Sequence, residues 1–213
     1  MIYYDIHTHQ PPVHPEDIAI INTIVKDEGD LLLPAQWCSM GIHPWYIYNV
    51  REQLSLLESA LSDPSVVAIG EAGLDKLAEA SLDIQQSTFR EQALLAEKAD
   101  KPLIIHSVKA WAELIAMKRS VKPRMPWIVH GFRGNAELAG QLIHQGFYLS
   151  FGEHFNSQAL QAAWPGYLLA ETDDKEIDIR SVYRQIATSL HISLEELVIT
   201  LERNVQNIFP FVR

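Results

Sequence analysis

The sequence is poor in the features that mark secreted and membrane proteins. Cys38 is the single cysteine among 213 residues, so no internal disulfide can form, which is typical of a reducing compartment. No apolar run approaches the roughly 18 residues that a membrane span requires. The opening residues MIYYDIHTH contain neither the basic nor the hydrophobic segment of a secretory signal. We therefore predict a cytoplasmic protein that does not enter a membrane.

Positive charge is also scarce, since 17 Lys and Arg residues stand against 27 Asp and Glu residues, for a net charge of -10. Non-specific nucleic-acid binding depends on many Lys and Arg contacts to phosphates. This balance excludes a phosphate-binding surface spread over the whole protein, so any contact with nucleic acid must be local. The sequence has no Gly/Ser linker, charge block or internal repeat, and we predict one domain over residues 1–213.

Short apolar runs recur along the chain without polar alternation, as expected for strands that are buried on both faces of a parallel sheet. They are Ile2 to Ile6, Ile18 to Val25, Gln36 to Ile42, Val66 to Gly70, Pro102 to Ile105, Trp127 to Val129, Phe147 to Phe151 and Tyr167 to Ala170. From the fourth run onward they alternate with segments of helical period. Those segments are Glu52 to Leu61, Ile84 to Lys98, Lys109 to Arg119, Ala136 to Gln145 and Ser181 to Leu190.

Eight strands that alternate with helices predict an α/β protein with a (β/α)₈ TIM-barrel fold. The first crossover, HTHQPPVHPED, contains three prolines, and the second, KDEGDLLLPA, is too short for a helix. We therefore expect the barrel to lack its first one or two outer helices. Near the end of the chain, Ser193 and Glu196 form a Ser-x-x-Glu capping box, which predicts the start of a final helix.

Histidines and carboxylates follow the predicted strands where each strand ends. They are His7, His9, His43, Glu71, His106, His130, Glu171 and Asp173. In a (β/α)₈ barrel these ends open onto one face, where active sites lie. His7 and His9, two residues apart on a strand, can project to the same side and share one cation. Imidazole with carboxylate suits Zn²⁺, Mn²⁺ or Ni²⁺, whereas Mg²⁺, a further candidate, prefers more oxygen ligands.

The number of these ligands exceeds the three protein ligands of a usual catalytic zinc, which predicts two divalent metal ions, with a carboxylate such as Glu71 between them. Two such ions would bring a charge of about +4 to this face of an acidic protein.

Collinear motifs carry a family resemblance: DIHTH, GIHPW, AIGEAGLD, PLIIHS, VHGFRGN, GFYLSFG, LLAETD and RNVQNIF. With them the chain resembles the TatD-type metal-dependent deoxyribonucleases of the amidohydrolase superfamily. The resemblance implies one ion on His7, His9 and Asp173 and another on His106 and His130, with Glu71 between the ions. It also implies phosphodiester hydrolysis, commonly exonucleolytic, with single-stranded nucleic-acid ends or small phosphodiesters as substrates.

The implied reaction gives roles to further side chains. We expect Asp173 to be both a metal ligand and the proton acceptor from water, and His43 to contact the scissile phosphate or the leaving group. Arg133 and Lys109 are the predicted phosphate-binding cations.

Departures from the family pattern lie around the presumed substrate. The family usually has an aromatic pair after Gly-Leu-Asp and an Arg after the fifth-strand His-Ser, where this chain has Lys76-Leu77 and Val108-Lys109. Two alternative functions therefore stay open. One is an amidohydrolase-type lactonase, amidase or deaminase with the same metals. The other is a reduced barrel that serves as a metal-binding or partner-binding module.

A second subunit is a possible partner, because missing outer helices would leave apolar surface near Ile18 to Ile24 and Leu31 to Leu33. Trp45 and Trp111 are candidates to stack on a base, although aromatic residues at loop and helix starts usually cap the core.

Overall fold

A computed structural model describes residues 1–26 and 36–210, and each predicted apolar run corresponds to a β-strand. The strands are β1 (Tyr4–Thr8), β2 (Ile18–Ile24), β3 (Cys38–Gly41), β4 (Val66–Asp75), β5 (Leu103–Val108), β6 (Trp127–Val129), β7 (Phe147–Phe151) and β8 (Leu168–Ala170). All five residues of β1 and all ten of β4 are buried, as expected for strands that are covered on both faces.

The strands are neighbours in chain order, from β1 to β8, in one eight-stranded sheet. The pairs β1 with β2, β3 with β4, β4 with β5, and β7 with β8 are all parallel. An isolated parallel bridge joins Thr8, at the end of β1, to Asp173, just after β8. The predicted (β/α)₈ barrel class is therefore confirmed.

Seven α-helices lie within the described residues, and the five predicted helical segments and the capped final helix are among them. They are α1 (Val50–Ala60), α2 (Leu82–Lys98), α3 (Trp111–Val121), α4 (Ala136–His144), α5 (Ser157–Ala163), α6 (Ile179–Leu190) and α7 (Leu194–Ile208). Ser193 caps α7 by accepting a hydrogen bond from the Glu196 backbone N–H, as the capping box predicts. The short α5 and a 3₁₀ turn at Pro44–Tyr46 were not predicted.

The first crossover, residues 9–17, contains no helix, in agreement with the prediction. It is anchored to α6 by Arg180, whose Nε lies 2.7 Å from Asp17 Oδ2 and whose Nη2 lies 2.7 Å from Glu16 Oε1. Most of the second crossover, including Leu31 to Leu33, lies outside the described residues.

The described residues divide into two compact units. The first unit comprises residues 1–21 and the described residues from Ile128 onward, and the second comprises those between Asn22 and Trp127. Among the residues that the structure describes, no helix combines the length and apolar character needed to cross a bilayer.

Candidate metal sites

Three predicted metal ligands of the first unit meet where β1 and β8 end. The Nε2 atoms of His7 and His9 lie 3.6 Å and 3.7 Å from Asp173 Oδ1, and one ligand atom from each of the three residues lies within 4.8 Å of the others. His7 is fully buried, whereas His9 is partly exposed. We call His7, His9 and Asp173 the first cluster. Its two imidazoles and one carboxylate form the donor set of a borderline divalent cation.

Backbone hydrogen bonds hold the first cluster together. The Asp173 N–H donates to the His7 carbonyl, and the His9 N–H donates to the Asp173 carbonyl, both at 3.0 Å. Asp173 has a φ of 57°, in the left-handed region that Asp adopts more readily than most residues. The same backbone hydrogen bonds that join β8 to β1 therefore set the positions of all three predicted ligands.

Two further predicted residues, His130 and Glu171, lie beside the first cluster. The His130 ring centroid is 4.2 Å from that of His7, and His130 Nδ1 is 3.6 Å from Glu171 Oε1. Glu171 is fully buried, and its Oε1 accepts a hydrogen bond from the Gly131 N–H. The buried Oε2 makes no hydrogen bond with any described residue, and ligand atoms of His130, Glu171 and Asp173 lie within 4.8 Å of one another. A buried carboxylate oxygen without a hydrogen-bond donor fits a nearby cation.

Asp5 belongs to β1, two residues before His7, and its side chain is buried. Its carboxylate accepts hydrogen bonds from the N–H of Thr172, at 3.1 Å, and from its hydroxyl, at 2.6 Å. Burial raises the pKa of Asp5 to about 8 despite these bonds. Asp5 therefore ties the residue before Asp173 to β1.

In the second unit, two histidines converge on Glu71, which belongs to β4. Glu71 Oε1 lies 2.9 Å from His106 Nδ1 and 3.2 Å from His43 Nε2, and the three ligand atoms lie within 4.8 Å of one another. We call His43, Glu71 and His106 the second cluster. Asn22 in β2 binds both the carboxylate and the backbone of Glu71. Its amide nitrogen donates to Glu71 Oε2, and its amide oxygen accepts from the Glu71 N–H, each at 3.0 Å.

Asp75 is a site residue that the sequence analysis did not single out. It is fully buried at the end of β4, and its Oδ2 lies 3.0 Å from His106 Nε2 and accepts a 2.6 Å hydrogen bond from the Trp45 indole N–H. Burial acts to raise the pKa of Asp75, but hydrogen bonds from Leu77, His106 and Trp45 outweigh it and leave the pKa lowered. An ionised Asp75 that accepts from His106 Nε2–H leaves Nδ1 available as a ligand, as in carboxylate–histidine–metal arrangements.

The hydrogen bonds of His43 define its tautomer. Its Nδ1 accepts a hydrogen bond from the Trp45 backbone N–H at 3.1 Å, so a neutral His43 carries its proton on Nε2, which faces Glu71. This tautomer makes His43 a hydrogen-bond donor and leaves Nε2 without the lone pair that a metal ligand needs. The geometry is compatible with the predicted contact between His43 and a phosphate or leaving group.

The predicted phosphate-binding cations occupy exposed positions. Arg133 follows β6, and Lys109 follows β5 with a φ of 56°. Neither belongs to the metal-ligating groups described above, and their role in phosphate binding stays a prediction. Lys76, a further cation near a strand end, is paired with Glu113 at 2.6 Å.

Comparison with known proteins shows the family to which the chain belongs. The family model for TatD-related DNases matches residues 23–210. The chain therefore belongs to the TatD-related DNase family. The match begins after His7 and His9, so their role as metal ligands stays a prediction that rests on the geometry of the first cluster and the sequence motif.

Individual relatives agree with this assignment. The chain is 35% identical over 119 residues to the uncharacterized metal-dependent hydrolase YabD of Bacillus subtilis, covering 54% of this chain and 47% of that protein. It is 34% identical over 116 residues to the 3'-5' ssDNA/RNA exonuclease TatD of Edwardsiella piscicida, covering 53% and 45%. The chain thus spans about half the length of the curated relatives it matches.

Solved structures show the same fold. The YjjV TatD homologue of Escherichia coli K12 superposes with a TM-score of 0.82 at 20% identity, covering 98% of both chains. A TatD family hydrolase from Entamoeba histolytica superposes with a TM-score of 0.73 at 20% identity, covering 97% of both chains.

Proposed function

We propose that this protein is a hydrolase that depends on divalent metal ions and cleaves phosphodiester bonds. The observation that carries the proposal is the first cluster, in which two imidazoles and a carboxylate converge at the ends of β1 and β8. Membership of the TatD-related DNase family supports the same reaction class.

The ligands favour two ions. His7, His9 and Asp173 would hold one, and His106 and Glu71 would contribute to the other. The sequence prediction adds His130 to the second ion and places Glu71 between the ions, and both assignments stay predictions. When bound, such ions lower the pKa of water toward about 7 and neutralise charge on phosphoryl oxygens. The imidazole-rich donor set favours Zn²⁺, Mn²⁺ or Ni²⁺ over Mg²⁺.

The side chains of this protein have separate tasks in the proposed reaction. Asp173, partly exposed beside His7 and His9, accepts the proton of the attacking water. His43 presents an Nε2–H that can be donated to a phosphoryl oxygen or to the departing oxygen. Asn22 fixes both carboxylate and backbone of Glu71, and Asp75 fixes the His106 ring. These contacts hold the site in one geometry before the substrate arrives, which reduces the reorganisation that the reaction requires.

Nucleic-acid ends are the proposed substrates. The Edwardsiella piscicida relative is named as an exonuclease for single-stranded DNA and RNA, and small phosphodiesters present the same bond. A net charge of -10 predicts that binding is weak and metal-dependent, because the protein has no broad basic surface with which to hold phosphates. Arg133 and Lys109 are the proposed local cations. Coverage of barrel surface by a second subunit stays a prediction.

The test compares substrates with defined metals. Purified protein is stripped with a chelator, reloaded with Zn²⁺, Mn²⁺, Ni²⁺ or Mg²⁺, and assayed side by side on bis-p-nitrophenyl phosphate, single-stranded DNA, and lactone and amide panels. We expect phosphodiester turnover that disappears on chelation and returns with metal. Turnover confined to lactones or amides would establish the amidohydrolase alternative, and no turnover on any panel would leave only a binding module.

A further inference from the structure

Trp45 forms part of an apolar surface that the proposed metal chemistry does not use. Its side chain is 57% exposed, and that of Leu77 is 64% exposed. Both line a cavity of about 330 Å³ together with Tyr46, Ala78 and Glu79. This volume lies at the small end of the range of ~300–1,000 Å³ that is typical of ligand pockets. A Trp that capped the core would have its ring buried, so this degree of exposure calls for another role.

The indole ring is held in place beside the second cluster. Its Nε1–H donates to the buried carboxylate of Asp75 at 2.6 Å, and the backbone N–H of the same residue donates to His43 Nδ1 at 3.1 Å. The ring centroid lies 5.7 Å from that of His43 and 6.5 Å from that of His106. With one hydrogen bond on the ring and one on the backbone of the same residue, the indole loses little conformational freedom when a ligand covers it.

The neighbourhood of the ring indicates the kind of ligand. In a nucleotide only the sugar separates the base from its phosphate. The Trp45 ring lies 5.7 Å from His43 and 6.5 Å from His106, so the base of a nucleotide whose phosphate contacts these histidines can reach the indole. A flat apolar face accepts any base, because every base has a π-face and stacking tolerates sequence differences. Leu77 lines the same cavity as Trp45. Its side chain therefore adds apolar surface for the part of a base that the indole does not cover.

From this geometry we propose that Trp45 and Leu77 form a stacking subsite for a nucleobase of the substrate strand. The inference rests on the proposed phosphodiesterase function and specifies how that site holds a nucleic acid. It also explains how an acidic protein retains a single strand: one stacked base supplements the few phosphate contacts available.

The experiment measures base-dependent binding. Five-nucleotide single-stranded DNAs with phosphorothioate linkages, each carrying one abasic site at a different position, are titrated against Mn²⁺-loaded protein by fluorescence anisotropy. Stacking of one base is worth a factor of about 5 to 150 in affinity. For the wild-type protein we expect a Kd about tenfold higher when the abasic site falls at one particular position. Trp45→Ala should abolish this difference.

Two further variants separate stacking from support of Asp75. Trp45→Phe keeps an aromatic face but has no indole N–H, so it should retain the abasic effect, whereas a role only through Asp75 would make it behave like Trp45→Ala. Leu77→Ala, which leaves the indole hydrogen bond intact, should reduce the effect about threefold. Tyr48→Ala is the matched control, because Tyr48 is 59% exposed but does not line the cavity, and it should bind like the wild type.

The outcomes distinguish the two hypotheses. Equal Kd values for intact and abasic strands in the wild type would overturn the stacking subsite, as would Trp45→Ala or Leu77→Ala proteins that keep the full abasic effect. Hydrolysis of unmodified DNA is followed in parallel with each metal. Its absence would contradict the proposed phosphodiesterase function, while a positive abasic effect would still establish the base-binding site.

Discussion

The two clusters are built from similar side chains but are held in different ways. In the first cluster, backbone hydrogen bonds position His7, His9 and Asp173, and the carboxylate lies 3.6 Å and 3.7 Å from the two imidazole nitrogens. In the second cluster, side chains position one another, and Glu71 Oε1 lies 2.9 Å and 3.2 Å from His106 and His43.

This difference indicates how each cluster would receive a cation. The two nitrogen–oxygen separations in the first cluster exceed the usual 2.7–3.2 Å of an N–H···O hydrogen bond, so a cation between these atoms would not have to replace a hydrogen bond between them. In the second cluster the His43 Nε2–H donates to Glu71 Oε1, and a cation that binds His106 Nδ1 must enter the 2.9 Å contact between this nitrogen and Glu71. We therefore expect the first cluster to depend on its ligands alone and the second to depend also on Asn22 and Asp75.

The largest effect is expected for Asp173→Asn in the first cluster. Asn also tolerates the left-handed backbone of this position, so the fold should persist while the proton acceptor and metal ligand are lost. We expect kcat/KM for single-stranded DNA to fall about 10²- to 10⁴-fold. The adjacent Asp174→Asn is the control, because Asp174 is exposed and its Oδ1 lies 2.8 Å from Lys175 Nζ. Equal activity of the two variants would refute the role of Asp173.

A second change examines whether the clusters bind separate ions. His106→Ala removes a ligand of the second cluster, and elemental analysis of the purified protein should show a metal content that falls from about two ions per chain toward one. His7→Ala should produce the same fall by emptying the first cluster. A content that drops to zero in either variant would show that the sites fill as one.

Asp75→Asn is expected to have an intermediate effect that is confined to the second cluster. The neutral amide holds the His106 ring less firmly, and loss of such a supporting carboxylate typically costs 10- to 100-fold in metal affinity. Calorimetric titration of the chelator-stripped protein with Zn²⁺ should show one binding step weakened and the other preserved. Asp83→Asn, which alters an exposed carboxylate of the same unit, should leave both steps unchanged.

The smallest effect is expected for Asn22→Ala. Two hydrogen bonds to Glu71 are lost, and a net contribution of about 1 kcal/mol corresponds to a roughly fivefold weaker second binding step. Thr23→Ala is the natural comparison, since the next residue of a strand points to the opposite face. If Asn22→Ala binds both ions as tightly as Thr23→Ala, the amide does not hold Glu71 for metal binding.

The strand pattern and the members of the two clusters could be predicted because each depends on local sequence. The eight apolar runs predict the eight strands, and the polar residues after them are the side chains that the structure brings together in the two clusters; their role as metal ligands stays a prediction. The end of β4 could not be predicted in this way. Gly70 and the polar Glu71 indicated an end at Gly70, but the strand continues to Asp75. Gly73 allows this continuation because a Cβ there would overlap the His106 carbonyl oxygen on β5.

Residues that act through a neighbour escaped prediction for a physical reason. Asn22 lies 49 positions from Glu71, and Asp75 lies 31 positions from His106, so their roles exist only once the strands are paired. The available signal for Asn22 was its amide in the strand IAIINTI, where Thr23 is the only other polar residue. The short α5, between Asn156 and Trp164, has too few turns to show a helical period.

The backbone exchange between Asp173, His7 and His9 joins metal binding to the stability of the sheet. The same residues that close β8 onto β1 would also share a cation, so a bound ion and the closed seam stabilise each other. By thermodynamic linkage, an ion present at 100 times its dissociation constant adds about 2.7 kcal/mol to the free energy of unfolding. Amide hydrogen exchange at the ends of β1 and β8 should therefore become slower as the metal concentration rises. In the metal-free protein, these strand ends should be the first part of the sheet to open.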